Sequence, residues 1–251
     1  MKISKQSVQL VDNMGTDLSV VNAARVSFDK QSDWEYEYES HIHFAEQVLS
    51  EKDKKLIKYL AEHNHWSPFS HTSISLRIKA PIFSARQCAK HQVGGAWNEV
   101  SRRYVDSEPE FYFPGNGKWR KRSHSAKQGS AEGGATLRPL YEGQEDLWAD
   151  YDNKFDPDLH VSVLVDECLR MYNDLVTSGV CPEQARMILP QNTMTEWIWT
   201  GSVYFFSRVC NLRLDPHAQL EVQEVAKLIS DVIRPLYPES WKVLVDDKQK
   251  A

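Results

Sequence analysis

The sequence has few cysteines and pairs none of them: Cys88, Cys168, Cys181 and Cys210 show no Cys-x-x-Cys spacing. That argues against a zinc ribbon or a disulfide scaffold and fits reduced thiols. No apolar run approaches the roughly 20 residues that a membrane span needs. The opening stretch, MKISKQSVQLVDNMG, lacks the apolar block and small residues of a secretory signal, so a cytoplasmic location is expected. Positive charge is not in excess either. A net charge of −5 gives no general attraction to nucleic acid, so any anion site must be local. No segment of about 20 to 50 residues repeats itself, which sets aside solenoids and propellers.

What is present is an ordinary globular composition, with 41% hydrophobic and 26% charged residues, enough to build a sizeable core. Ser50 followed by Asp53 has the form of a helix cap, and Leu56, Ile57 and Leu60 then recur at helical spacing. From Thr72 to Lys79 the residues alternate, with Thr72, Ile74, Leu76 and Ile78 on one face, which predicts a strand. Pro81 suits the first turn of a helix reaching to about Gln92, stopped by Gly94-Gly95. Residues 114–136, rich in Gly, Ser and Lys, predict a long loop. Beyond it Leu164, Cys168, Tyr172 and Leu175 mark a helix that closes at Gly179, and Pro182 opens a short one carrying Arg186. Trp197 and Trp199 alternate in a short extended piece, and Phe206, Val209 and Cys210 return to helical spacing. Asp215-Pro216 then opens a last long helix with Leu220, Val225, Leu228 and Ile229 as its core face. The expectation is a mixed α/β fold, a single domain over residues 1–251 with a β-sheet and long helices.

The densest polar constellation is Arg86-Gln87, Lys90-His91-Gln92, a glycine loop, and then Asn98-Glu99-Val100-Ser101-Arg102-Arg103-Tyr104. If the second part is extended, Glu99, Ser101 and Arg103 point one way and offer an acceptor, a hydroxyl and a guanidinium fork. Such a surface suits a nucleotide, because a guanidinium grips phosphate bidentately, and glycines at 94 and 95 let a ligand approach the backbone. The plain alternative is a solvated ion pair between Glu99 and Arg103. Ser101 as a nucleophile lacks an evident adjacent base. Histidines 41, 43, 63, 65 and 71 raise a metal-dependent nucleotide phosphohydrolase, but their spacing matches no zinc motif, and no metal is expected. Lys118, Trp119, Arg120, Lys121 and Arg122 raise a nucleic-acid module, which the acidic total opposes.

Read in order, His65-Trp66-Ser67-Pro68-Phe69-Ser70-His71, a strand, KAPIFSARQCAKHQ and NEVSRRY resemble the motifs of the flavin-dependent thymidylate synthases, the ThyX family. Val21-Asn22-Ala23-Ala24-Arg25-Val26-Ser27 is similar to that family's N-terminal helix. Asn211-Leu212-Arg213 with Asp215, His217, Ala218 and Gln219 is similar to its C-terminal motif. The resemblance spans the chain except the 114–136 loop and parts of 137–178. It implies reductive methylation of dUMP to dTMP, with FAD as cofactor, NADPH as reductant and methylene tetrahydrofolate as carbon donor. It places dUMP against Gln87, Lys90, Glu99, Ser101, Arg102, Arg103, Arg186 and Arg213, with Arg213 as the catalytic residue. It places FAD against Ser67, Lys90, His91, Gln92, Glu99, Ser202 and Arg208. It also implies a homotetramer with active sites shared between subunits; charge and hydropathy give no nucleic acid or membrane partner, and the 114–136 loop is a candidate lid over the folate or NADPH site. The family's Arg-His-Arg triplet stands here as Lys90-His91-Gln92. Lysine loses the planar fork and glutamine loses the charge, so FAD binding is expected to be looser, and a catalytically altered relative is the alternative.

Overall fold

The computed structural model describes residues 1–38, 45–105, 107–115, 118–123, 130–134 and 157–249. The fold is mixed α/β, as expected. Its strands are β1 (Lys2–Ile3), β2 (Ser7–Met14), β3 (Glu35–Tyr38), β4 (Ala45–Val48), β5 (Ser73–Pro81), β6 (Gly95–Glu99), β7 (Glu110–Phe111), β8 (Arg120–Arg122), β9 (Ser130–Gly134) and β10 (Met194–Gly201). The helices include α1 (Asp17–Arg25), α2 (Glu51–Glu62), α3 (Ile82–Cys88), α4 (Pro157–Thr177), α5 (Pro182–Ala185), α6 (Val203–Arg213), α7 (Leu220–Ile233) and α8 (Pro238–Trp241).

The central sheet has the order β2-β5-β10-β6, and each neighbouring pair is antiparallel. Period-2 alternation makes β5 what it is: Ile74, Leu76 and Ile78 are fully buried on one face, and the strand runs two residues past Lys79 to Pro81. Trp197 and Trp199 on β10 bury on that same side, facing Ile78 and Leu76 in register. Helices α6 and α7 supply the other half of this core through Phe206, Val209, Val222 and Ile229. A smaller cluster gathers Phe111, Val165, Leu169, Tyr172 and Ala185. The helix marked by Leu164, Cys168, Tyr172 and Leu175 is α4: Tyr172 is buried and Leu175 packs against this cluster, while Leu164 is exposed and the neighbouring Val165 is buried. Gly179, at φ +86°, ends the turn after α4, with the Val180 N–H donating to the Leu175 carbonyl.

Capping at α2 follows the sequence, with the Asp53 N–H donating to Ser50 Oγ. Asp53 also receives Arg25 Nε at 3.0 Å and the Ser32 hydroxyl at 3.0 Å. Burial pushes this carboxyl up, but the hydrogen bonds from Arg25, Ser50 and Ser32 outweigh it and hold it below the usual range. Arg25 of the N-terminal motif thus ties α1 to α2.

Several sequence expectations shift. The last long helix begins at Leu220, not at Asp215: the Asp215 carboxylate accepts the His217 N–H and its carbonyl accepts the Ala218 N–H, closing a separate turn. Leu220 is consequently exposed, and Val222, Val225, Ala226 and Ile229 form the core face. Part of the 114–136 loop is a hairpin, β8 against β9, whose Arg120 grips Glu221 at 2.9 and 2.8 Å. That partner lies 101 positions away, beyond any local pattern.

The glycines at the end of the sheet serve packing, not ligand approach. A Cβ at Gly201 would stand 2.2 Å from the Phe205 ring, and one at Gly95 would stand 2.5 Å from it. Gly95 and Gly201 face each other in register, so the two bare backbones together seat one aromatic ring. Because that ring is buried against Trp199 and Phe206, it has little room to yield. Gly201→Ala should lose about 1–3 kcal/mol of stability in chemical denaturation, the cost typical of overpacking. Adding Phe205→Leu should recover part of that loss.

Candidate active site

Helix α3 ends at Cys88, short of the expected Gln92, for a reason visible in its hydrogen bonds. A continuing helix would give the Gln87 carbonyl to the His91 N–H. Instead the His91 N–H donates to the Cys88 carbonyl at 3.0 Å, and a terminal nitrogen of Arg213 donates to the Gln87 carbonyl at 2.9 Å. Arg213 stands in the last turn of α6 and also donates from Nε to His91 Nε2 at 3.0 Å. Since a guanidinium can only donate, Nε2 is the bare nitrogen and the imidazole is the neutral Nδ1–H form. Burial, together with the charges of Arg213 and Arg208, lowers the His91 pKa to about 4. The helix end, the histidine and the arginine thus fix one another.

On its side-chain end Gln87 donates to Gln219 Oε1 at 2.5 Å. Gln219 donates to Glu221 Oε2 at 2.9 Å, and Glu221 carries the Arg120 fork. These four residues, with Phe83 and Tyr112, help wall a cavity of about 610 Å³ that the β8–β9 hairpin also lines. Phe83 and Tyr112 meet edge to face at 6.1 Å. Arg213 is not part of that wall and reaches it through the Gln87 main chain. Gln219 stood in the C-terminal motif without a role, Arg120 was read only as part of a basic run, and Glu221 was missed altogether. Two acidic or basic residues at such distance carry no sequence signal.

The second polar cluster is built differently from the expectation. The strand ends at Glu99, and Ser101 to Tyr104 turn, with the Tyr104 N–H donating to the Ser101 carbonyl. Glu99, Ser101 and Arg103 are therefore not three residues of one extended face. Instead Arg103 folds back, donating from its N–H and its Nε to Ser101 Oγ at 3.3 and 3.1 Å. Arg102 donates to the Ser107 carbonyl at 2.7 Å, and Glu99 accepts from the Thr195 hydroxyl at 2.6 Å. Among the described residues none of these four bonds to Gln87, His91 or Arg213.

Other expected positions are spread more widely. Lys90, Gln92 and Arg208 are exposed, and Arg208 lies near enough for its charge to act on His91. Ser67 is exposed in the short helical turn Ser67–His71. Ser202 is the N-cap of α6, its Oγ accepting the Phe205 N–H at 3.1 Å, which gives that side chain a structural task. Arg186 is exposed and donates weakly to the Glu183 carbonyl at 3.3 Å. Among the described residues no group of three or more His, Cys, Asp or Glu side chains is placed to hold a metal ion. His41 and His43 lie outside the described residues. Cys88 and Cys210 are buried and free, and burial raises the Cys88 thiol to about 12, so it is inert as a nucleophile.

Residues 9–239 match the family described as Thymidylate synthase complementing protein. The chain belongs to this family. It is 32% identical over 243 residues to the flavin-dependent thymidylate synthase of Thermosipho africanus, covering 97% of this chain and 92% of that one. With the enzyme of the same name from Thermotoga neapolitana it shares 33% identity over 244 residues, again covering 97% and 92%. Among solved structures, the UMP/dUMP methylase PolB from Streptomyces cacaoi, bound with 5-Br dUMP, superposes with a TM-score of 0.73 at 26% identity. That alignment covers 97% of this chain and 96% of PolB.

Family membership implies a flavin, and the residues present fit one. The exposed cations Lys90 and Arg208 flank a half-buried, neutral imidazole, a donor set suited to phosphate and to an electron-rich ring. The tilted pair Trp66 and Tyr204, 6.1 Å apart, lies on the elements that carry Ser67 and Ser202.

Two measurements follow from this geometry. Because the folded pKa of His91 lies below its ordinary 6.5, stability from the neutral ring is complete above pH 6.5 and is lost as pH falls through about 4. An NMR titration of the ring should give a midpoint near 4, and His91→Gln should flatten the fall in stability across that window. Gln92→Arg restores a fork at an exposed position, so it should tighten FAD binding by about threefold to tenfold in a fluorescence titration. Unchanged affinity would leave the altered triplet without consequence for the flavin.

Proposed function

We infer that this chain is a flavin-dependent thymidylate synthase that methylates dUMP to dTMP. The observation that carries this reading is the Arg213–His91–Gln87 arrangement, set in a chain whose relatives bear that name. A cation held in place beside a uracil ring favours the anionic form at ring nitrogen 3, which makes carbon 5 the better nucleophile. No protein nucleophile is required, and Ser101, already accepting two N–H groups of Arg103, is better suited to a phosphate.

Arg213 supplies the fixed charge. His91 keeps it fixed by accepting Nε, and the neutral ring adds no competing positive charge of its own. Gln87 joins the arginine to the cavity. When bound, FAD reduced by NADPH supplies the hydride and methylene tetrahydrofolate supplies the carbon. Lys90, Gln92, Ser67 and Arg208 are the positions proposed to hold the flavin, with Glu99 shared between flavin and nucleotide.

The separation of Ser101, Arg102 and Arg103 from Arg213 within one chain agrees with sites shared between subunits. In that arrangement the turn at Ser101 to Arg103 of one copy, with Glu99, binds the nucleotide phosphate and sugar at the Arg213 half of another. Arg186, exposed and weakly held, is free to join the phosphate. A homotetramer is the assembly proposed. The β8–β9 hairpin, which walls the cavity, is proposed as the lid over the folate or NADPH. No described helix is long and apolar enough to cross a membrane.

The test is an anaerobic reaction of the purified protein with FAD, NADPH, dUMP and methylene tetrahydrofolate, scored for dTMP by mass spectrometry. Product should appear only with all components, and UMP run in parallel reads whether the ribonucleotide is also accepted. Arg213→Ala should lower kcat on the order of a hundredfold or more, as loss of a positioned charge does. Ser101→Ala should keep measurable turnover with a raised KM for dUMP. A folded protein that binds dUMP but makes no dTMP would sink the activity and leave the nucleotide site.

A further inference from the structure

The chain of bonds behind Gln87 has a direction. Glu221 is 7% exposed, and its carboxylate can only accept. Both oxygens take the Arg120 fork, and Oε2 takes a further donor from Gln219. Gln219 must therefore turn its NH2 group toward Glu221, which leaves Oε1 for Gln87. Gln87 in turn must present its own NH2 group to Gln219. The carbonyl oxygen of Gln87 is then the acceptor left over at the cavity. A glutamine amide can offer either its oxygen or its NH2 group to a neighbour, and its hydrogen-bond partners decide which. Here an ion pair at the far end decides it.

We propose that Arg120, Glu221 and Gln219 are positioning residues that lock the amide of Gln87 with its carbonyl oxygen available, so that the site selects a hydrogen-bond donor on the nucleotide. A half-buried ion pair gives little net stability over apolar packing, so fixing polarity is the task that accounts for it. All four residues border the same cavity, which places the acceptor where a ligand meets it. The donor is an N–H or O–H; because the Arg213 charge favours the anionic form at ring nitrogen 3, the sugar hydroxyl at 3′ is the expected donor, and the imide N–H at position 3 is the alternative that the test reads. A site built around a fixed acceptor rejects the analogue lacking its donor far more strongly than one whose amide can flip. The relay also links the β8–β9 hairpin to nucleotide selection, because Arg120 belongs to β8.

This inference rests on the placement of dUMP at Gln87. Its test measures, with FAD present, the affinity of wild type and Glu221→Gln for dUMP, N3-methyl-dUMP and 2′,3′-dideoxyuridine monophosphate. Wild type should bind one analogue about tenfold or more weakly than dUMP and the other nearly as well, which identifies the donor. In Glu221→Gln dUMP should bind several-fold more weakly, and the penalty on that analogue should shrink below about threefold. Gln219→Met, which leaves the Arg120 ion pair in place, should lose the same discrimination and covers the case in which Glu221→Gln does not fold. Discrimination unchanged in both variants overturns the relay, as does a wild type that treats all three nucleotides alike. Gln87→Ala separates the two failures. If it leaves dUMP affinity unchanged, the nucleotide placement fails and the relay with it. If it weakens dUMP while both relay variants keep full discrimination, the placement stands and the relay alone fails.

Discussion

The site depends on one guanidinium. Arg213 closes the end of α3 by taking the Gln87 carbonyl and holds the His91 ring by donating to Nε2. Without the arginine the ring nitrogen would lose its donor in a half-buried place and the Gln87 carbonyl would keep only a long bond from the Lys90 N–H, so the arginine does not swing away without cost. Its own rigidity comes from α6, whose start is capped by Ser202 and whose buried face, Phe205, Phe206, Val209 and Cys210, is pressed into the core. The glycines opposite Phe205 belong to the same mechanism: they let α6 sit low enough on the sheet for Arg213 to reach α3.

Charge placement follows from that packing. Burial, together with the charges of Arg213 and Arg208, keeps the imidazole neutral, so the cation count near Gln87 is set by arginine and lysine rather than by pH. A neutral His91 at working pH is what allows Arg213 to remain a hydrogen-bond donor to it. The relay through Gln219, Glu221 and Arg120 extends the same logic in the other direction, using a carboxylate to set the polarity of two amides in a row. Four side chains drawn from α3, the turn before α7, α7 itself and the β8–β9 hairpin thereby share a single hydrogen-bond register.

Much of this was legible in the sequence. The alternation in Ile74, Leu76 and Ile78 and the cap at Ser50 are local patterns, and local patterns predicted their elements. The motif order identified the family, because several motifs in sequence are specific where each alone is not. What the sequence hid was tertiary. Helix α3 stops early because Arg213, a residue far along the chain, takes a carbonyl that the helix would have used. Gly95 read as room for a ligand, but that room is filled by Phe205, which Gly201 across the sheet also seats. Ser101 and Arg103 read as neighbours on a strand, but a turn sends the guanidinium back onto the hydroxyl. Glu221 and Arg120, the pair that orders the relay, sit in segments with no shared pattern.

The most direct measurement is a crystal structure of the protein with FAD and 5-bromo-dUMP, using the anomalous signal of bromine to locate ring carbon 5. The account predicts a bromine peak beside the Gln87 and Arg213 pair, with the Arg213 guanidinium within hydrogen-bond distance of the pyrimidine and His91 Nε2 still accepting from it. A pyrimidine bound elsewhere, or an Arg213 that leaves His91 and Gln87 without touching the nucleotide, would contradict it.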